Sequence, residues 1–231
     1  MEKEVAVIVG AGKGLSASLA RLAAREGMAV GLAARDTQKL AGLCEETGAR
    51  AYVCDVADAD AVARLFASVD AELGTPSLVV FNAGDRAKGS VQELDPARVL
   101  QALHVTCFGG FLVGREAARR MIAAGRGSIL FTGATASVKG YANSAGFAMP
   151  KFGLRGLAQS MARELAPQNV HVAHFVIDGG IASSRARPDE AGPADRWLDP
   201  DAIAASYLAI HRQHRSAWTW ELELRPWVEA F

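Results

Sequence analysis

The feature that most restricts this chain is an alternation of two periodicities. Compact apolar runs stand at "VAVIV" (5–9), "AVGLAA" (29–34), "RAYVCD" (50–55), "SLVVFN" (77–82), "GSILFTG" (127–133) and "VHVAHFVI" (170–177). Between them lie stretches with helical spacing. These fall at about 14–26, with Leu15, Leu19 and Leu22 in register, near 37–47, and near 59–73, with Val62, Leu65, Phe66 and Val69. Two longer ones run from about 96 to 124 and from about 144 to 166; Pro96 suits a first helical turn and Gly125 a helix stop. Strands apolar along their whole length need cover on both faces. The pattern therefore predicts an α/β fold: one domain over 1–231, a doubly wound parallel sheet of about seven strands with helices on both sides. "WTWELEL" (218–224) alternates and supplies the last strand. Half of the 231 residues are apolar, enough to bury one substantial core.

Other classes are excluded by charge and cysteine usage. Lys and Arg number 25 and Asp and Glu 25, with no long run of one sign, so neither nucleic acid nor a membrane surface is an expected partner. The opening "MEKEVAVIVG" carries an apolar run too short for a membrane span or a secretory segment. Cys44, Cys54 and Cys107 are odd in number and form no C-x-x-C pair, which points to reduced, buried thiols in a cytoplasmic protein. The segment 183–200, "SSRARPDEAGPADRWLDP", is polar and rich in Pro and charge; it is the candidate mobile substrate loop, with an ordinary surface connection as the equal alternative.

"VIVGAGKGLS" joins the first strand to the first helix. Gly10, Gly12 and Gly14 allow a sharp turn and close approach of a pyrophosphate, while the helix start supplies amides and a favourable dipole. An enzyme preferring NAD usually carries an acid about twenty residues beyond such glycines, where Ala34 stands here. Arg35 follows, and Lys13 lies within the turn; two cations suit a 2′-phosphate, so NADP(H) is favoured over NAD(H). Asp36 reads as a cap of the next helix.

With these residues in hand, the chain resembles the short-chain dehydrogenase/reductase family over nearly its whole length, implying a Rossmann fold. The family's glycine motif is matched from Val9 through Gly10, Gly12, Lys13, Gly14 and Leu15 to Ser16, with its first Thr and last Gly replaced. Its adenine-side Asp is matched by Asp55, with Val56 next, and its N-A-G by Asn82, Ala83 and Gly84. Where the family has Pro-Gly after the sixth strand, "IDGGI" (177–181) stands, making Gly179 and Ile181 the cofactor-side candidates. The resemblance further implies a homodimer or homotetramer, built from the two long helices and the Trp-rich tail "SAWTWELELRPWVEAF", and a small-molecule substrate.

The resemblance also implies a catalytic Asn–Ser–Tyr–Lys set, in which Tyr gives a proton to the substrate oxygen, Ser hydrogen-bonds that oxygen and Lys lowers the phenol pKa. Here Lys151 matches the Lys and also the ribose ligand, whereas Phe147 stands at the Tyr position, Ala134 at the Ser position and Thr106 at the Asn position. Tyr141, in the loop before the helix, is the candidate relocated acid, with packing at the site mouth preferred. On an α-helix His104 lies about 200° from Thr106, so a buried or interface role is preferred for it, and a structural one for His174. Three readings follow: an NADP(H)-dependent oxidoreductase with altered proton delivery, a non-catalytic nucleotide-binding sensor or regulatory subunit, and a non-redox enzyme using the cofactor as scaffold. The first is preferred because the cofactor apparatus is present. Pro150 is compatible with a helix only in its first turn or at a kink.

Overall fold

The computed structural model describes residues 3–182 and 195–229. Among these, seven strands form one sheet: β1 (Val5–Val9), β2 (Ala29–Ala34), β3 (Arg50–Val53), β4 (Leu78–Phe81), β5 (Gly127–Thr132), β6 (Val170–Ile177) and β7 (Glu221–Leu224). They lie in the order β3-β2-β1-β4-β5-β6-β7 with every neighbouring pair parallel. The helices are α1 (Leu15–Arg25), α2 (Ala41–Thr47), α3 (Ala59–Glu72), α4 (Pro96–Leu103), α5 (Gly109–Ala124), α6 (Ala145–Leu165) and α7 (Pro200–His211).

Alternation along each strand divides the core into two layers. Val5, Val7 and Val9 of β1 pack with residues of α3, α5 and α6, whereas Ala6 and Ile8 pack with α1 and α7. Phe66, Phe81 and Phe131 fill the first layer and Phe175 and Tyr207 the second, the last two rings stacked 3.6 Å apart. Burying each such ring contributes about 2–3 kcal/mol. Side chains cap three helices: Asp58 accepts from the Asp60 amide, Asp95 from Ala97 and Asp199 from Asp201, the last two followed by Pro at the first helical position.

The expected doubly wound parallel architecture is present, with four departures in detail. Helix α7 corresponds to no expected element, because its apolar residues (Ala202, Ile203, Ala204, Tyr207, Leu208, Ile210) surround the axis and leave little periodic contrast. The expected continuous helix over 96–124 contains a π-helical turn, His104–Phe108. Only Glu221–Leu224 of "WTWELEL" is strand, and Trp227 is 79% exposed. Cys54 is a buried free thiol, but Cys44 and Cys107 are only half-buried. Most of the candidate loop 183–200 lies outside the described residues. Its far end is pinned by an Ile181–Leu198 bridge and by the Leu198 amide on the Gly180 carbonyl.

The span Pro96–Ala124 is long and apolar enough to cross a membrane by length and composition. Leu112, Val113, Ala117 and Met121 on it are buried in the first core layer, the packing of a core helix.

Candidate functional site

Strand order reverses between β1 and β4, and a crevice opens beyond their carboxyl ends, the usual ligand position in such sheets. A cleft of about 300 Å³ lies there. Among its lining residues are Gly10, Arg35, Asp55, Val56, Asn82, Ala83 and Gly84 from the sequence candidates, and Ala11, Lys39, Cys54 and Val105, which the sequence reading did not select.

The glycine turn is shaped by two different demands. Gly10 has φ +82°, and a Cβ on it would lie 2.4 Å from the Ala83 amide nitrogen, so β1 and β4 can converge only with glycine here. Gly14, at φ +88°, is the N-cap of α1 and offers no side-chain cap. The Ala17 amide turns back onto the Gly14 carbonyl at 2.9 Å, while the Leu15 and Ser16 amides lack a side-chain acceptor and are available to an anion. Gly12 differs: a Cβ there would meet nothing within 4 Å. Its lack of a side chain has no reason inside the protein. Asn82 staples the turn, its amide donating to Ser16 Oγ (2.7 Å), which donates to the Gly10 carbonyl (3.2 Å). Leu15 turns its side chain into the core, so only its backbone is available to the cleft; Lys13 is exposed and does not line it.

A cationic edge forms beyond β2. Arg35 and Lys39 both line the cleft, and Lys39 pairs with Asp36 at 2.8 Å. Asp36 accepts the Gln38 amide but is not the expected helix cap: Thr37 is the N-cap of the 3-10 turn Gln38–Leu40 and Leu40 that of α2, neither with a side-chain cap. Lys39 had a signal in "RDTQKL": a second cation about one turn beyond Arg35. On the opposite wall Asp55 accepts the Ala57 amide at 3.0 Å. The Cys54 thiol is pushed up to about 11, first by burial and then by Asp55 and Asp58, so it stays protonated at neutral pH.

Lys151 sits in the second turn of α6, right after Pro150. Pro150 is beyond the first turn, so the first-turn condition is not met. The cost is offset locally: the Gly146 carbonyl, which has no N–H to accept at position 150, accepts the Ala87 amide instead at 3.3 Å. A Cβ on Gly146 would lie 2.8 Å from Ala87, so glycine permits this approach. Lys151 is 6% exposed, and its Nζ donates to the Thr132 carbonyl at 2.7 Å. Burial lowers its pKa to about 8. A methyl group on Gly84 would lie 3.8 Å from Lys151 Nζ and 3.8 Å from Thr106 Oγ1, so the ammonium stands at the inner end of the crevice. Phe147, four residues earlier, shares its helix face. The Arg86 guanidinium lies 5.8 Å from the Phe147 ring centroid.

None of the other candidates lines the cleft. Thr106 is fully buried in the π-helical turn; its hydroxyl accepts the Asp85 amide (2.9 Å) and donates to the Asp85 carbonyl (3.2 Å). Both hydrogen-bonding functions are thus engaged. The α-helical angle between His104 and Thr106 does not apply to this turn, yet they do face apart, and His104 is exposed rather than buried, its ring 5.9 Å from Phe108. The turn precedes Gly109 and Gly110, where added Cβ atoms would lie 2.9 Å from Val56 and 2.5 Å from Leu154. Ala134 is extended, its amide donating to the buried Ser137 hydroxyl. Tyr141 is 57% exposed and lines a separate cavity with Val91 and Asn143 that includes neither Phe147 nor Lys151. Gly179, at φ +151°, packs against Pro226, and Ile181 joins the second core layer; neither lines the cleft.

His174 is fully buried, with Nδ1 3.1 Å from Glu221 Oε2, while Glu221 forms a two-point pair with Arg155 at 2.6 and 2.8 Å. Burial lowers the His174 pKa to about 4 despite the opposing pull of Glu221, so the ring is neutral at pH 7. This agrees with a structural role tying α6, β6 and β7 together.

Comparison with known proteins gives a consistent result. The family model described as short chain dehydrogenase matches residues 4–191. A cis-4-hydroxycyclohexanecarboxylate dehydrogenase from Sinomonas cyclohexanicum is 35% identical over 215 residues, covering 87% of this chain and 86% of its own. The crystal structure of a short-chain dehydrogenase from Rhodopseudomonas palustris is 37% identical, with a TM-score of 0.84, covering 97% of this chain and 99% of its own. A metagenomic short-chain oxidoreductase solved in complex with NADP is 30% identical, with a TM-score of 0.84, covering 96% and 97%.

Proposed function

This chain belongs to the short-chain dehydrogenase family, and from that premise we propose that it is an NADP(H)-dependent oxidoreductase acting on a small organic acceptor whose reduction needs no phenolic acid from the protein. The observation that carries the reading is a cleft lined by Gly10, Arg35, Asp55 and Gly84, with the uncapped start of α1 following its glycine turn and the buried Lys151 ammonium 3.8 Å from a methyl group placed on Gly84. The α1 amides and Gly12 would take the pyrophosphate, Arg35 and Lys39 the 2′-phosphate, Asp55 and Val56 the adenine side and Lys151 the nicotinamide ribose. The NADP bound by the metagenomic relative supports the cofactor class.

When bound, the nicotinamide supplies a hydride. Lys151 holds the ribose and keeps a positive charge beside the acceptor, where negative charge develops. Phe147 and Ala134 would offer the acceptor neither a proton nor a hydrogen bond. An iminium acceptor takes the hydride at carbon and needs no proton; an enone takes its proton from water. One relative is named for a cyclic hydroxy acid, so a cyclic keto acid belongs in the substrate panel with imines and enones.

NADPH oxidation across that panel tests the reading. Turnover on at least one acceptor class is expected; background rates on all, with tight NADPH binding, would sink it. That result would favour nucleotide binding without turnover, a reading supported by the Thr106 hydroxyl being fully engaged by Asp85.

Two further outcomes are expected. Arg35→Ser with Lys39→Ser should weaken NADPH binding about 10–100-fold and leave NADH binding nearly unchanged, measured by fluorescence titration. Cofactor affinity should also fall as pH rises through about 8, because the lowered Lys151 pKa means the ammonium is present below that value and lost above it. The 2′-phosphate, with a second pKa of about 6, is already fully charged there. Titrations from pH 7 to 9.5 should show the decline in the wild type and a flat profile in Lys151→Met.

A further inference from the structure

Arg86 is an exposed cation beside the ring that stands four residues before Lys151. It follows Gly84, a residue of the cleft lining, by two positions, and its exposed guanidinium lies over the half-buried Phe147 ring at 5.8 Å. No carboxylate among the described residues pairs with it. The obvious partner is Asp85, one residue earlier. That carboxylate is engaged elsewhere, accepting the Arg86 backbone amide at Oδ1 (2.8 Å) and pairing with Arg98 at Oδ2 (3.2 Å). A guanidinium seated on an aromatic face still presents its N–H fork at the edge, free for two parallel hydrogen bonds. The backbone holds this arrangement against α6: the Ala87 amide donates to the Gly146 carbonyl at 3.3 Å and the Gly89 amide to the Asn143 carbonyl at 3.4 Å. The cation is therefore carried on a loop tied to the helix that bears Phe147 and Lys151.

We infer that Arg86 is a specificity-determining residue that binds the carboxylate of an aromatic or alicyclic acid whose ring rests against Phe147. This rests on the proposed oxidoreductase reading for the place of the crevice, and it adds the chemical class of the acceptor. The two adjacent features, an apolar ring wall and an unneutralised fork donor, match a compact apolar body carrying one planar anion. A neutral ligand would leave the exposed guanidinium to water and gain nothing from it, and a cationic one would be repelled.

Calorimetric titration of the protein with benzoate and with benzamide, each with and without saturating NADP⁺, tests the assignment. Saturation fills the cationic edge at Arg35 and Lys39, so benzoate binding there is removed from the signal. Benzoate is expected to bind about 10–100-fold more tightly than benzamide. Arg86→Gln should abolish that preference and Arg86→Lys should restore part of it, while NADP⁺ affinity and melting temperature stay at wild-type values. Equal binding of benzoate and benzamide, wild-type benzoate affinity in Arg86→Gln, or no benzoate binding at all would overturn the assignment. Benzoate binding that depends on Arg86, in a protein that never oxidises NADPH, would uphold the anion site and reject the oxidoreductase reading. Turnover of neutral acceptors with no Arg86-dependent benzoate binding would do the reverse.

Discussion

The variant Phe147→Tyr with Ala134→Ser is expected to reduce a simple ketone such as cyclohexanone about 10²–10⁴ times faster than the wild type, with NADPH as donor. Positions 147 and 151 are one helical turn apart on α6, so a phenol at 147 would stand over the Lys151 ammonium. That ammonium is buried and, with a pKa of about 8, charged at neutral pH, which lowers the pKa of a neighbouring phenol. The Arg86 guanidinium acts in the same direction. Ala134 is extended just beyond β5, with its amide fixed by Ser137, so a hydroxyl there projects from a defined backbone. The gain should be larger than the sum of the single variants, because acid and oxyanion donor act on one oxygen. Steady-state NADPH oxidation measures it. A correctly folded double variant that binds NADPH and shows no gain would mean that the crevice no longer holds a ketone in reach of the hydride.

A matched pair of glycine substitutions should separate fold from cofactor binding. Gly10→Ala puts a Cβ 2.4 Å from the Ala83 amide nitrogen at a backbone φ of +82°, so β1 and β4 must part or the turn must change. The expected destabilisation is about 2–6 kcal/mol, from overpacking and a disfavoured dihedral together. Gly12→Ala adds the same methyl group where nothing lies within 4 Å. Its melting temperature should match the wild type, yet its NADPH affinity should fall about 10–100-fold, because the methyl group occupies the space the pyrophosphate needs. Thermal melts with NADPH titrations read both. Undiminished binding in Gly12→Ala would remove the glycine turn from the cofactor site.

Much of the fold was legible because each element carries its own burial pattern. "VAVIV" is apolar throughout and "VHVAHFVI" nearly so, broken only by His171 and His174, and both became strands buried on both faces. The glycine turn was legible because strand, glycines and helix are contiguous in the chain. Helix α7 was not, since apolar residues all round the axis erase the periodicity that marks a helix. The cationic edge was half legible: Arg35 by its place after β2, and Lys39 only once α2 and the preceding turn brought it to the cleft.

The sequence by itself determined the alternation of strands and helices, the glycine turn, and the residue types at positions 134, 147 and 151. The tertiary structure decided what those residues touch. It gave Thr106 to the Asp85 backbone, Pro150's missing hydrogen bond to Ala87, and Phe147 to Arg86. Local pattern encodes which face of an element is buried, because burial follows the period of the backbone. It does not encode the register of one element against another, which is set by packing across the whole core, and these three contacts all depend on that register.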